Sequence, residues 1–580
     1  MGHVFITQTH KNDVKLGNII ACDAHIFPYD QLVSSFFTDK ENDSNLQFVY
    51  KQLGISSGAE INKLKNPPKL EKLNRYYMEL KLPTDIAEKT PKVYLLAAFN
   101  KANKNQTIIS STDIMENLLS HIINQWKVEN KKKFNNRAKY LISLPFINNR
   151  GSGYFDITSE VIASTVDCLL NLANQNEDFD FLITTTDSKS YTMAQRYRLE
   201  KLNLFWENCS DFIKNEIENE NGNIIRLAKL AAENKLVVFI GAGVSIGAGM
   251  PSWAGLLQEL AEGCNINTND NNWNSLDYLS KAELIEKRML LKQQSGLSDE
   301  TLGSWIAKRM DLPYYSLQHS LLSLLKPSGV VTTNYDRCFE MASIDTLNVI
   351  LSSSIKHHSK VVKTESAILS SKWLLKMHGC ISEPNNIVLT RSHYLRYMEK
   401  NAALAGIVQA NLLTSHMLFV GFSLDDDNFH KIMDSVRKAK RFNKNKQTVM
   451  DIHDYSATSI QLYENIYVKA IWEPAILPIS MRSDDPSLPK DWSGAGRDVE
   501  LYLDLLALSA SKFACNYILD ERYKLSSDEM ALADALKQLQ DALPSNFVHE
   551  PPFKSLFTSY GAHIHNAYYR DRKTNRLDHI

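Results

Sequence analysis

Four short motifs in the second half of the chain carry residue types that can bind a nucleotide and move a proton. The first, GAGVS at 241–245, follows an apolar run, and its glycines leave backbone amides open to a phosphate because glycine has no Cβ. The others are TTNYD at 332–336, MHGC at 377–380 and GFSLDDDN at 421–428. Any one of them alone is typical of an ordinary polar turn. Together they offer an amide, carboxylates and a histidine that can accept a proton at neutral pH.

The apolar runs before these motifs predict the strands that position them. Because parallel strands end at one edge of a sheet, the motifs are expected to meet there, where open α/β sheets bind ligands. A predicted helix at 224–232 precedes the first strand, and the interval 265–325 is mostly helical in pattern, as expected of a small domain or a lid over that edge. The predicted strands lie at 236–240, 329–331, 373–376, 417–420, 448–452 and 466–471.

The first 210 or so residues alternate short apolar runs with helical patterns, which predicts a second sheet covered by helices. Asp113 is expected to cap a long amphipathic helix, and the polar stretch 218–223 is the best linker to the second unit. The predicted strands lie at 4–6, 25–27, 93–97, 140–144 and 180–183. The apolar face of the helix consists of Ile114, Met115, Leu118, Leu119, Ile122, Ile123 and Trp126.

Composition excludes several classes of protein. The chain has 580 residues, which is too long for a single core, and its 65 basic and 66 acidic side chains leave no net field to gather nucleic acid or an anionic membrane. Its seven cysteines form no C-x-x-C pair, which argues against a disulfide framework and a cysteine-rich zinc site. No leader-like start and no window of 18 apolar residues occur, so we expect a cytoplasmic protein without a membrane partner.

The order and rough spacing of the four motifs, with G-x-P-S-W after the glycine loop, resemble the sirtuin-like NAD-consuming domain over residues 224–510. The resemblance implies that His378 is the catalytic base and that Asn334 and Asp336 line the nicotinamide pocket. It implies NAD as the substrate and no metal. It also implies residues that bind NAD at the phosphate loop, beside the nicotinamide pocket and on the adenosine side. These residues are Gly241, Ala242, Gly243, Ser245, Gly249, Pro251, Thr333, Gly421 and Ser423.

Two departures from the protein deacylases of this family change the expected activity. Deacylases carry a four-cysteine zinc ribbon after the catalytic histidine, whereas Cys380 stands alone here and 381–420 contains no cysteine. The deacylase G-I-P-D-F-R segment is replaced by GMPSW at 249–253. Both features resemble the bacterial immune branch, which destroys NAD. We therefore predict an NAD glycohydrolase of antiphage abortive infection, with a protein deacylase and a non-catalytic NAD or ADP-ribose sensor as alternatives.

The N-terminal unit resembles a macro domain in two segments, GNIIACDAHIFPYD at 17–30 and ISLPFINNRGSGYFD at 142–156. The resemblance implies that Asp23 holds an adenine and that Gly151 and Gly153 wrap a diphosphate. Tyr29 and Asp30 replace the asparagines of hydrolytic macro domains, so a sensor of an ADP-ribose-like signal is expected. The alternative is a domain that only packs against the enzyme or a partner.

These observations predict an α/β protein in three parts. We expect a macro-like α/β domain at 1–215, a Rossmann-like parallel-sheet sirtuin domain at 224–510 and a helical C-terminal extension at 511–580, opened by the capping pair Ser526 and Glu529. The resemblance to immune effectors further implies a homo-oligomer, restraint before infection, and activation by a signal or by a phage-derived or defence-system partner.

Overall fold

The structure, a computed structural model, contains two large β-sheets covered by helices, which confirms the predicted α/β class. A two-stranded sheet connects the two halves of the chain. The structure describes residues 1–9, 19–28, 77–80, 91–96, 108–146, 158–185, 188–206, 211–219, 222–297, 299–346, 351–352, 372–440, 455–465, 475–485, 487–544 and 547–562.

The N-terminal sheet has six strands in the order β1-β7-β6-β3-β5-β4. Every neighbouring pair is parallel except β4 and β5, which are antiparallel. The five strands predicted in this half all form, each within a residue or two of its expected bounds, and residue 97 of the third prediction lies outside the described residues. The strands of this half are β1 Val4–Gln8, β2 Ile19–Ile20, β3 Ala24–Pro28, β4 Tyr77–Leu80, β5 Lys92–Leu96, β6 Tyr140–Pro145 and β7 Phe179–Thr185.

The long amphipathic helix lies where its apolar face predicted, but it begins earlier than expected. It spans Ile108–Glu129, so Asp113 lies inside the helix and the prediction that Asp113 caps it is wrong. Polar residues at 110–113 hid the start from the hydrophobic pattern. The predicted face is buried except for Ile114, which is half-buried, and Trp126 is fully enclosed. The other helices of this half are Thr158–Gln175, Ser188–Glu200, Leu202–Trp206 and Asp211–Glu218.

The second sheet has seven strands, all parallel, in the order β11-β12-β10-β8-β13-β14-β15. The first four strands predicted here are confirmed. The predictions at 448–452 and 466–471 fall outside the described residues, and β14 and β15 were not predicted. The strands are β8 Leu236–Ile240, β9 Tyr314–Tyr315, β10 Gly329–Thr332, β11 Leu351–Ser352, β12 Trp373–Lys376, β13 His416–Val420, β14 Ala457–Tyr463 and β15 Ile476–Arg482.

Helices cover this sheet and extend beyond it. The interval 265–325 is mostly helical, as predicted, and the capping box of Ser526 and Glu529 opens a helix in the C-terminal part. Within the described residues, no helix combines the length and the apolar character needed to cross a membrane. The helices are Asn223–Ala232, Ala242–Ser245, Trp253–Gly263, Asn271–Ser275, Tyr278–Gln294, Leu302–Met310, Leu317–Leu324, Cys338–Asp345, Arg391–Leu395, Tyr397–Thr414, Asp427–Lys440, Trp492–Ser511, Ser527–Ala542 and Pro551–Ser559.

The helix Trp492–Ser511 joins the two halves of the molecule. It packs against the helix Asn223–Ala232 of the second half, and its Asp504 carboxylate binds two side chains of the first. Asp504 accepts hydrogen bonds from His3 Nε2 at 2.8 Å and from Arg198 Nη1 at 3.1 Å. All three side chains are buried, so Asp504 connects this helix to β1 and to the helix Ser188–Glu200 of the first half through contacts inside the protein.

Candidate active site

The glycine loop lies at the carboxyl edge of the second sheet, directly against the loop that follows β13. Gly243 N donates to Gly421 O at 2.9 Å, and a Cβ added to Gly241 would lie 2.2 Å from the same oxygen. Gly421 itself has a φ of 64°, in the left-handed region that favours glycine. Contact between these two loops therefore requires glycine at 241 and 421, independently of any ligand.

The asparagine of the second motif ties the end of β10 to the glycine loop. Asn334 Nδ2 donates to Gly241 O at 3.0 Å and to Ser245 Oγ at 3.1 Å. Its own backbone amide donates to Thr332 Oγ1 at 3.0 Å, which fixes the turn. Both amide hydrogens of the side chain are thus engaged, and Asn334 is held rigidly beside the glycine loop.

A buried polar cluster lies beneath this contact. Ser245 Oγ donates to Asp336 Oδ2 at 2.8 Å and lies 3.4 Å from His319 Nε2, while Cys338 N donates to Asp336 Oδ1 at 3.0 Å. Burial lowers the pKa of His319 to about 4, despite the opposing effect of Asp336, so this imidazole is neutral at pH 7. His319 Nδ1 lies 2.8 Å from the Ser316 hydroxyl.

The same cluster contains the one group of potential metal ligands found in the described part of the chain. Candidate ligand atoms of His319, Asp336 and Cys338 lie within 4.8 Å of one another. Burial raises the pKa of the Cys338 thiol well above its usual value, so the thiol stays protonated and donates to Tyr314 O. The hydrogen bonds of Asp336 and Cys338 are internal and join the residues of this cluster below the glycine loop.

Lys376, at the end of β12, fixes the second motif from the other side. Its ammonium donates to Asp336 O and lies 2.7 Å from Glu340 Oε1. No local pattern in the sequence singles out Lys376, because a lysine at the end of a strand is normally solvent-exposed. Lys376 is buried because the turn after β10 folds against it, and the residues next to Lys376 in the sequence do not indicate that contact.

His378 follows β12 and faces two residues that sequence analysis did not single out. Its Nδ1 lies 3.4 Å from the Tyr394 hydroxyl, and its Nε2 lies 3.7 Å from Asp426 Oδ2. Burial lowers the pKa of His378, and the nearby Asp426 carboxylate partly offsets this. The side chain is 2% exposed, and within the described residues its Nε2 has no hydrogen-bond partner. A neutral, unpartnered imidazole nitrogen is suited to accept a proton.

The structure brings most of the residues implied in NAD binding to this edge of the sheet. Ser245, Asn334 and Asp336 are buried, whereas Ala242 and Ser423 are exposed. The other members, which are buried or half-buried, are Gly241, Gly243, Gly249, Pro251, Thr333 and Gly421.

Of the three residues implied in an N-terminal ligand site, the structure describes only Asp23. Asp23 is 1% exposed, and both of its carboxylate oxygens accept internal hydrogen bonds, from Phe134 N at 2.7 Å and from Leu141 N at 2.8 Å. Gly151 and Gly153 lie outside the described residues. Asp23 therefore holds the segment around Phe134 in this structure.

Comparison with known proteins confirms the sirtuin-like resemblance. Residues 328–471 match the family model described as SIR2-like domain. NAD(+) hydrolase ThsA of Bacillus cereus (strain MSX-D12) is 29% identical over 211 residues, covering 36% of this chain and 42% of that protein. NAD(+) hydrolase ThsA of Acinetobacter baumannii (strain 532279) is 28% identical, with 37% and 42% covered, and Defense-associated sirtuin 2 of Bacillus subtilis is 26% identical, with 38% and 21% covered. The chain thus spans about two-fifths or less of the length of these curated relatives.

Among solved structures, two of the Oceanobacillus iheyensis macrodomain match the chain. One, a mutant, has a TM-score of 0.23 at 11% identity and covers 34% of this chain and 97% of its own. The other has a TM-score of 0.24 at 10% identity, with 34% and 90% covered.

Proposed function

We propose that the protein hydrolyses NAD to nicotinamide and ADP-ribose as an effector of antiphage defence. The observation that carries the proposal is that the glycine loop, Asn334 with Asp336, and His378 follow the neighbouring parallel strands β8, β10 and β12 at one edge of a sheet that includes a SIR2-like segment. The names of the relatives, NAD(+) hydrolase and Defense-associated sirtuin, support the same activity and setting.

The chemistry follows from the residue types at this edge. Cleavage of the N-glycosidic bond develops positive charge at the ribose C1′ while nicotinamide leaves as a neutral molecule. We assign Asn334 to positioning the ribose or a water molecule, and Asp336 to the nicotinamide pocket. Water adds to C1′, and the proton that it loses passes to His378 Nε2, so that NAD and water give ADP-ribose, nicotinamide and a proton. This pathway is favourable because the nicotinamide ring of NAD is cationic before it leaves and because His378 is neutral before it accepts the proton.

The closed state of the site supports restraint of the enzyme before a signal arrives. Asn334 is 8% and Asp336 4% exposed, and His378 Nε2 is shielded from solvent. We infer that residues covering these groups move before NAD binds. An enzyme that destroys an essential cofactor must be silent in a healthy cell, so we infer that a signal, a defence partner or a change of homo-oligomer opens the site.

We infer that such a signal passes through the N-terminal half. Asp23 holds Phe134, and the adjoining Asn135 donates from Nδ2 to Gly247 O at 3.0 Å, next to the glycine loop. Asn135 has a φ of 50°, which asparagine tolerates better than most residues. An ADP-ribose-like ligand that displaced Asp23 from Phe134 would release Asn135 from Gly247 and loosen the loop.

Asn135→Asp is expected to raise the basal rate of nicotinamide release about fivefold or more. The change keeps the size of the side chain and its tolerance of positive φ, but it replaces a hydrogen bond worth about 1 kcal/mol by repulsion between a carboxylate and Gly247 O. Steady-state rates of the purified full chain check this. Asn136→Asp is the matched control, because Asn136 has a similar φ of 55° and is exposed. Equal rates in the two variants would contradict the restraint.

The proposed activity is tested by incubating the purified full chain with NAD and measuring nicotinamide and ADP-ribose, with and without lysate of phage-infected cells. We expect equal amounts of the two products. O-acetyl-ADP-ribose formed from an acetylated peptide would instead indicate the deacylase. NAD binding without any cleavage, in every lysate, would favour the non-catalytic sensor.

A further inference from the structure

A hydrogen-bonded pair of side chains lies beside His378. Tyr394, in the helix Arg391–Leu395, donates from its hydroxyl to Asp426 Oδ2 at 2.8 Å. The same hydroxyl lies 3.4 Å from His378 Nδ1, and the rings of the two residues meet edge to face with centroids 5.2 Å apart. The helix Arg391–Leu395 and the segment before the helix Asp427–Lys440 thus both reach the imidazole that follows β12.

The hydrogen bonds determine which imidazole nitrogen carries the proton. Because the Tyr394 hydroxyl hydrogen is directed at Asp426, the phenol oxygen is left to accept from His378 Nδ1–H. Nδ1 is then the protonated nitrogen, and Nε2 keeps its lone pair. Nε2 is also the atom without a hydrogen-bond partner in the described structure. The geometry therefore leaves a proton-accepting nitrogen ready for a substrate.

We propose that Tyr394 and Asp426 are positioning residues for His378, with Tyr394 setting the imidazole tautomer and Asp426 stabilising the imidazolium. This inference rests on the proposed NAD hydrolysis. During the reaction an O–H bond of the attacking water breaks, an N–H bond forms at Nε2, and the resulting positive charge lies 3.7 Å from the Asp426 carboxylate. Neither residue contacts the substrate in this scheme.

Among the residues that the structure describes, Asp426 is the charged group that acts on His378. Three tyrosines of neighbouring elements face the imidazole or the Asp426 carboxylate: Tyr394, Tyr397 and Tyr335. Burial raises the pKa of each phenol far above neutrality, so all three are uncharged. The Asp426 carboxylate raises the pKa of His378 against the larger effect of burial. Removing that charge must therefore lower the pKa of His378.

Asp426 also has a structural role, which the choice of variant must preserve. Its Oδ1 accepts from Phe429 N at 2.9 Å and its carbonyl oxygen from His430 N, so it caps the helix Asp427–Lys440. Asparagine caps a helix about as well as aspartate, so Asp426→Asn removes the charge and keeps the cap. Asp425→Asn is the matched control, because Asp425 is the exposed neighbour in the same acidic run.

The test is the pH dependence of kcat for the full chain and its variants. Asp426→Asn is expected to lower kcat about tenfold or more, with little change in KM. This loss is smaller than the 10²- to 10⁴-fold expected for loss of the general base itself. The acidic limb of its pH–kcat profile should lie at lower pH than that of the wild type, because His378 stays neutral to a lower pH in the variant. Asp426→Glu should restore part of kcat, Tyr394→Phe should lower kcat, and Asp425→Asn should match the wild type.

An unchanged kcat and acidic limb in Asp426→Asn would overturn the inference, and so would an equal loss in Asp425→Asn. Titration of His378 separates this outcome from failure of the proposed function. In the ¹³C-histidine NMR spectrum, with the signal assigned by its loss in His378→Gln, Asp426→Asn should lower the pKa of His378. The lowered pKa of His378 is expected even if the wild type cleaves no NAD. An unchanged pKa of His378 in Asp426→Asn would show that Tyr394 and Asp426 do not act on His378 as proposed.

Discussion

Replacing His378 by glutamine is expected to lower kcat for NAD cleavage by about 10²- to 10⁴-fold, the usual contribution of a general base. Glutamine has a similar length and can donate a hydrogen bond to Tyr394, but it cannot accept the proton of the attacking water. His378 is buried, neutral and unpartnered at Nε2, which are the properties that make a histidine an effective base. Nicotinamide release by purified wild type and variant measures the effect.

The structure also supplies the controls for this variant. His549 is exposed in a short helical turn of the C-terminal part, so His549→Gln should leave the rate unchanged. The affinity of His378→Gln for NAD, measured by calorimetry, and its thermal midpoint should stay close to those of the wild type. A variant that folds, binds NAD and still cleaves it at the normal rate would show that the base lies elsewhere.

The second large effect is expected on stability. Replacing Asp504 by asparagine should lower the free energy of unfolding by about 3–5 kcal/mol, because it leaves the Arg198 guanidinium buried without its counter-charge. Burial opposes the charge on Asp504, but Arg198 and His3 outweigh it and hold the pKa of this carboxyl below its usual value. Its stabilising contribution is thus complete above the unfolded-state pKa of about 3.9 and is lost as the pH falls through the lowered folded-state pKa.

Urea denaturation followed by circular dichroism and by tryptophan fluorescence measures this loss. The double variant Asp504→Leu with Arg198→Met should recover much of it, because paired apolar replacement of a buried ion pair is often neutral. Asp434→Asn is the surface control. Its partner Lys438 is exposed, and such a pair is worth about 0.3–0.5 kcal/mol. If Asp504→Asn cost no more than Asp434→Asn, the two halves would not depend on this buried pair.

Local patterns predicted the framework of the fold well. The strands β8 and β12 have the bounds expected from their apolar runs, and the buried face of the helix Ile108–Glu129 follows from a period of 3.6 residues. Asp113 was misplaced because a hydrophobic pattern locates the buried face of a helix but not its first polar turn. The strands β14 and β15 have less regular burial than the central strands, which explains why their pattern was missed.

By itself, the sequence determined which motifs follow which strands, and hence that Asn334, Asp336 and His378 meet at one sheet edge. This works because parallel strands place their carboxyl ends together whatever the loops between them contain. Only the tertiary structure decided that Lys376 is buried against Asp336, that Tyr394 and Asp426 face His378, and that Asn135 reaches Gly247. These contacts join elements far apart in the chain, so their distances depend on how whole helices and loops pack, and no local pattern records them.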